Sequence, residues 1–201
     1  MASISLHPDE ILQLKTEAVR QRPYAARISI ALAFRLLGVT SPGFDVFAVL
    51  DELDYLEGIR PNSKTKPEAP FGHAPLTPFW HKHFASARHI LPNIGIRWGM
   101  KSGGNRDLTN LVEGIARAYG DDPEAWQKQL AHEFVVGAIE DRAKRGFTGD
   151  WIIYAKHEGN SYYLDLADHH EGETPNAPEL LKKLRIGCEY EFPFIFAAGN
   201  E

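Results

Sequence analysis

Cysteine is nearly missing from this chain of 201 residues, and a single thiol, Cys188, excludes an internal disulfide. It lies in an apolar C-terminal stretch, Cys188 to Phe196, beside Glu189 and Glu191. Those charges disfavour a thiolate, so the sequence assigns Cys188 a structural role. Long apolar runs are missing too: no segment approaches the ~20 residues that span a bilayer as a helix. The N-terminus MASISLHPDE turns polar at once, unlike a signal peptide, and the expectation is a soluble cytoplasmic protein with no membrane partner. Also absent are a P-loop, an HExxH motif, a zinc ribbon, internal repeats and low-complexity tracts. Nucleotide hydrolysis is therefore not implied, and no cofactor is expected. Hydrophobic residues make up 43% of the chain, enough for a core that needs no staples.

What is present is segregated charge. Counting Lys and Arg against Asp and Glu, residues 1–59 carry a net −3, residues 60–106 a net +7 and residues 107–201 a net −9, which the total of −5 conceals. The basic band holds Arg60, Lys64, Lys66, Lys82, Arg88, Arg97, Lys101 and Arg106 against Glu68, with Trp80, Phe84 and Trp98 interleaved. Such a band attracts RNA or another polyanion, and residues 60–106 are the expected docking surface.

Along the chain, three helices are predicted in residues 1–60. The first has Pro8 at N1 and stops at Pro23, the second runs from Tyr24 to Leu37, and the third follows a Ser41-Pro42-Gly43 turn and covers Phe44 to Glu57. The proline-rich stretch 61–75 reads as a loop or linker between this helical layer and an α+β domain over 76–201. In that domain Thr77 and Pro78 start a predicted fourth helix running to Leu91. A fifth spans Asp107 to Tyr119, and a long sixth runs from Asp122-Pro123 to Gly146. Trp151 to His157 and Ser161 to Ala167 alternate as strands around Glu158-Gly159-Asn160. With Gly159 and Asn160 central, Ala155 faces Leu164 and Ile153 faces Leu166 on an apolar face, while Tyr154, Lys156, Tyr163 and Asp165 line an open polar one. A short helix near Pro178 to Leu184 and a last strand, Cys188 to Phe196, complete an α+β fold. It is mostly helical, with a small antiparallel sheet near the C-terminus.

Chemistry concentrates in a few places. On the predicted fourth helix His81, Arg88 and His89 share a face, a strip able to transfer protons and contact phosphate. The loop Arg97 to Arg106 is glycine-rich, basic and ahead of a helix N-terminus, so Arg97, Lys101 and Arg106 join Arg88 as candidate phosphate ligands. On the hairpin Lys156 holds phosphate, Tyr163 stacks or orients, and His157 sits at the turn edge. A metal site is not indicated locally, because His81 and His83 stand about 200° apart around a helix. His169-His170-Glu171 would have to converge with them over long range.

The stretch GDWIIYAKHEGNSYYLDLADHH, residues 149–170, resembles the strand pair of RelE and ParE type toxins and, more loosely, of barnase-like ribonucleases. That resemblance implies metal-independent RNA cleavage by general acid and base groups, with cations stabilising the phosphorane-like transition state. No catalytic residue carries over by identity. The leading expectation is a nucleic-acid-processing protein, a small endoribonuclease of toxin type, with His81 and His157 as the acid and base. The alternative is a non-catalytic binding module with a protein partner, of the antitoxin, immunity or phage regulatory kind. A third reading is a metal-dependent hydrolase using His81 or His83 with His157 and His169.

Overall fold

Residues 7–40 and 44–197 are described by a computed structural model of the chain. The expected Ser41-Pro42-Gly43 turn lies outside them, as do the residues before His7. Among the described residues the fold is α+β and mostly helical, with a four-stranded antiparallel sheet whose strands, β1 (Ala69–Pro70), β2 (Trp80–Phe84), β3 (Asp150–His157) and β4 (Asn160–Ala167), lie side by side in chain order. No helix among the described residues is long and apolar enough to cross a membrane.

The N-terminal helices form where their start signals predict. α1 (Pro8–Ala18) has Pro at its first position and His7 as N-cap in a capping box with Glu10; α3 (Val46–Leu56) is capped by Asp45. Between them the predicted second helix is shorter than expected. Only a 3₁₀ turn at Ala25–Arg27 and α2 (Ile30–Leu36) are helical, with Ser29 capping α2 through the Leu32 amide. Ser29 is fully buried, and its hydroxyl also bonds the Leu164 carbonyl, so this break ties the helices to the sheet.

The hairpin consists of β3 (Asp150–His157) and β4 (Asn160–Ala167), and its register departs from the expected one. Glu158 and Gly159 are the central residues, both at positive φ (48° and 78°) as a type I′ turn requires, so His157 pairs with Asn160 and Ala155 with Tyr162. An irregularity between Ile153 and Tyr154 then sets Ile153 opposite Asp165 and Ile152 opposite Leu166. Ile153 and Leu166 are both buried, but on opposite faces of the sheet.

Two further segments expected otherwise change the architecture. Residues 80–84 are not helical: Trp80–Phe84 forms β2, which pairs with β3 from Trp80↔Tyr154 to Phe84↔Asp150. Ala69–Pro70, within the supposed linker, is β1 and pairs with β2. The predicted last strand is helical as well. Cys188 ends α8 (Ala177–Cys188), and Pro193–Ala197 is α9. With α1, α2 and α3 on one face and α8, α9, Phe71, Leu76 and Phe79 on the other, the sheet is covered on both sides. The expected open face does not exist. Tyr154 and Tyr163 have no exposed surface, and their hydroxyls donate to Glu68 and Glu57.

The chain folds as two compact units, and they do not divide at residues 61–75. The N-terminal helices share a core with the hairpin in unit 1, which takes in residues up to 63, 67–84 and from 149 on. Unit 2 comprises 64–66 and 85–148, an insertion between β2 and β3. It contains α4 (Ile90–Trp98), α5 (Arg106–Tyr119), α6 (Pro123–His132), a π turn at Glu133–Gly137 and α7 (Ala138–Arg145). Ile94, Trp98 and Ala138 form its small core. Asn93, 1% exposed, is its polar hub: its amide donates to the carbonyls of His89 and Thr148, and its oxygen accepts from Arg142 and Thr148.

Burial on both faces predicts that Tyr163→Asp and Leu166→Asp each destabilise the protein by several kcal/mol, on the order of 3, by stranding a charge in the core. Urea melts check this, and a Tyr163→Asp protein that melts like the parent contradicts the two-sided core. Cys188 is 1% exposed and burial pushes its thiol up to about 12, so it is expected to resist alkylation at pH 8 until the chain unfolds, as thiol labelling read by mass spectrometry will show.

Candidate functional site on the sheet face bearing Trp151

On a strand, successive side chains point to opposite faces, and the β2 sequence Trp-His-Lys-His-Phe is sorted accordingly. Trp80, Lys82 and Phe84 face the N-terminal helices. Lys82 is completely buried there, 2.9 Å from Glu52 and 2.9 Å from the Ser63 hydroxyl, which in turn donates to Glu52. Burial pushes its ammonium below the ordinary lysine range, and Glu52 opposes that shift. Lys82 is thus no part of a polyanion surface.

His81 and His83 face the other way and meet Trp151. The His81 ring centroid lies 4.7 Å from that of Trp151 and 4.8 Å from that of Phe71. His83 is directly opposite Trp151 in the ladder. Its Nδ1 lies 3.0 Å from the Gly149 carbonyl oxygen and its Nε2 3.4 Å from the Trp151 indole nitrogen. The Gly149 amide also lies 3.4 Å from Nδ1, so both ring nitrogens face polar groups of β3 and of the residue before it, and the ring is fixed in place. A third imidazole arrives from the turn after β4: His169 is exposed, 4.4 Å from the Trp151 ring and 5.0 Å from that of His83. The turn that carries His169 also presses on Trp151 at Gly172, where a Cβ would stand 1.9 Å from Cζ3 of the indole. Only glycine lets the backbone come so close. Trp151 itself is 7% exposed, a spine for the imidazoles rather than a surface on which a base stacks.

Of the residues expected to act together, few meet. His81 and His157 lie on the same face, but His81 pairs with Ile153, four residues from His157, a separation of about 13 Å along a strand. His157 packs on Phe194, 4.6 Å between ring centroids. Lys156 is bound to Glu68 at 3.0 Å and sits 3.7 Å from the Trp80 ring centroid, on the opposite face. Tyr163 is interior: burial and Glu57 raise its hydroxyl so that it stays a protonated donor and cannot stack on a ligand.

The expected phosphate ligands belong to unit 2. Arg97 is taken up by Asp107 at 2.8 Å and Asp141 at 2.7 Å, and lies over Trp98. The glycine-rich loop is no anion cradle, since the amides of Gly99, Ser102, Gly103, Gly104 and Asn105 all donate to carbonyls within residues 96–100. Arg88, Lys101 and Arg106 are exposed, and Lys101 and Arg106 form no ion pair among the described residues. Nor does the basic band act as a whole, because Arg60 pairs with Asp51 and Lys82 is buried, both in unit 1, whereas Lys64, Lys66, Arg88, Arg97, Lys101 and Arg106 belong to unit 2. Unit 2 carries a net +3 and unit 1 a net −8.

No group of three or more His, Cys, Asp or Glu side chains among the described residues is arranged to hold a metal ion. Comparison with protein-family models, with curated proteins and with solved structures returns no match.

If His83 anchors this face, His83→Ala is expected to cost about 1–3 kcal/mol, because a buried carbonyl and a buried indole donor lose their partner. Chemical denaturation measures this. Gly172→Ala is expected to be at least as damaging, and a fully stable Gly172→Ala protein contradicts the close approach at Trp151.

Proposed function

We propose that unit 1 carries an imidazole acid–base site that cleaves RNA without a metal, and that the acting pair is His81 and His169 rather than His81 and His157. The observation behind this reading is the gathering of His81, His83 and His169 around Trp151, with ring centroids 4.4–6.0 Å from the indole. His83, committed to Gly149 and Trp151, serves as the fixed member; half-buried His81 and exposed His169 flank it. In an in-line displacement at phosphorus the attacking and leaving oxygens lie on opposite sides, so the base and the acid must stand several ångström apart, not side by side.

Imidazoles move protons and bring no hydroxyl or thiol of their own, so the nucleophile comes from the substrate. The 2′-hydroxyl of RNA meets that need. One imidazole takes its proton as 2′-oxygen attacks phosphorus, and the other protonates the departing 5′-oxygen, leaving a 2′,3′-cyclic phosphate and a 5′-hydroxyl. The resemblance of residues 149–170 to the strand pair of toxin ribonucleases agrees with this chemistry. RNA docking is assigned to unit 2, with its positive net charge and its exposed Lys64, Lys101 and Arg106.

A second reading rests on a different observation, the net −8 of unit 1: a non-catalytic module whose acidic surface binds a basic protein. One experiment separates the two. Purified protein incubated with RNA in EDTA is expected to release fragments ending in 2′,3′-cyclic phosphate and to leave DNA intact. His81→Ala and His169→Ala are each expected to lose about 10²- to 10⁴-fold in rate, while His157→Ala keeps its activity. No cleavage under any condition favours the binding module. Activity surviving both losses overturns the assignment. Lys101→Ala with Arg106→Ala is expected to weaken RNA binding and flatten its salt dependence by about one unit of slope per lost phosphate contact, measured by filter binding.

A further inference from the structure

Residues 168–172 form a turn, exposed at 168–170 and buried at Gly172, that is fixed at more points than its length requires. The Asp168 amide donates to Glu171 Oε2 at 2.9 Å, and the Glu171 amide donates back to Asp168 Oδ1 at 2.8 Å. From α8, Lys183 reaches over with its ammonium 2.6 Å from Glu171 Oε1 and 3.1 Å from the Leu166 carbonyl. Asp165 Oδ2, 3.7 Å away, adds to the charge that holds it there. Gly172 then presses against the Trp151 ring, leaving no room for a Cβ. Asp165 has its own partner in Arg35, so its place does not depend on Lys183 alone.

At the crown stand His169 and His170, and they are treated differently. His170 is turned to solvent beside Glu173 and Asn176, whereas His169 lies on Trp151 and His83. A short exposed turn is ordinarily among the more mobile parts of a protein. Here two backbone-to-carboxylate bonds, a lysine bridge and a glycine contact constrain one that carries a single inward imidazole. A proton-transferring group needs such constraint, because an error of about 1 Å can cost 10²-fold in rate.

We propose that Lys183, through Glu171, is a positioning residue that holds the His169 imidazole against Trp151 and His83. This rests on the RNA-cleaving reading for its purpose, but the placement itself is measured without activity. The test compares Lys183→Ala with Lys183→Arg, which keeps the charge and the reach. In proton NMR of the full-length protein, the His169 ring protons are expected to show a Trp151 ring-current shift and nuclear Overhauser contacts to the indole. Lys183→Ala is expected to lose both while its thermal melt stays within a few degrees of the parent, and Lys183→Arg to retain them. In the RNA assay Lys183→Ala is expected to lower kcat by about 10²-fold with KM within a factor of two. The limb of the pH–rate profile that belongs to His169 should shift with it, and Lys183→Arg should restore both. If Lys183→Ala keeps the shift and the contacts, the proposal is overturned whatever the activity. If it loses them yet cleaves RNA with the parent kcat and pH profile, the positioning role is overturned while the cleavage reading stands. If the parent cleaves no RNA, the cleavage reading fails, and the NMR comparison still decides whether Lys183 places His169.

Discussion

The pairing of β2 with β3 is the constraint on which the rest depends. It joins Trp80–Phe84 to residues 150–154 across the whole of the inserted unit, and the strand's two-residue alternation then sorts the chemistry of β2. Lys82 is carried into the core with Trp80 and Phe84, where Glu52 and Ser63 must meet it, because an unpartnered ammonium there would be far costlier. His81 and His83 are carried to the opposite face beside Trp151. A slip of one residue would exchange these sets, putting two imidazoles into the helical core and the ammonium against the indole.

The same sheet explains why three buried tyrosines are all tied to carboxylates. Tyr24, Tyr154 and Tyr163 donate to Asp54, Glu68 and Glu57, and each carboxylate also meets a cation, Arg22, Lys156 and Arg27. The sheet and its covering helices therefore interlock through polar groups as well as through apolar packing. Such networks are sensitive to partial loss, since removing one member leaves the others buried and unsatisfied.

Much of the helical architecture was legible because its signals are local. Pro8 and Asp122-Pro123 mark their helix starts and Tyr119 ends the fifth helix as expected, whereas α4 lies almost wholly beyond Leu91, where the predicted fourth helix stopped. The hairpin was legible as a hairpin, but its tip was not: Glu158-Gly159 and Gly159-Asn160 are both acceptable turn centres, and the choice fixes every pair below it. Trp80-His81-Lys82-His83-Phe84 fits a helical and a strand period alike, and only its distant partner, Ile153, decides. Burial of the polar hairpin face was illegible for the same reason. Tyr154, Tyr163 and Asp165 look solvent-facing until Glu68, Glu57 and Arg35 arrive from elsewhere in the chain. Of the site, His81 was found and His169 noticed, yet nothing local tied either to Trp151 or marked Gly172 as the residue that lets the turn approach.

The insertion of residues 85–148 between two adjacent strands bears on how the protein reaches its fold. Without structure inside it, closing the β2–β3 pair would mean bringing together the ends of a loop of about sixty residues, an entropic cost that slows non-local pairing. Within unit 2, however, the Asn93 side chain, near the start of the insertion, binds the Thr148 carbonyl at its end, so the two ends are held close to one another. Once that helical unit has formed, the strands are the two ends of a short bridge. Assembly of the imidazole face is then coupled kinetically to a unit that contributes none of its side chains.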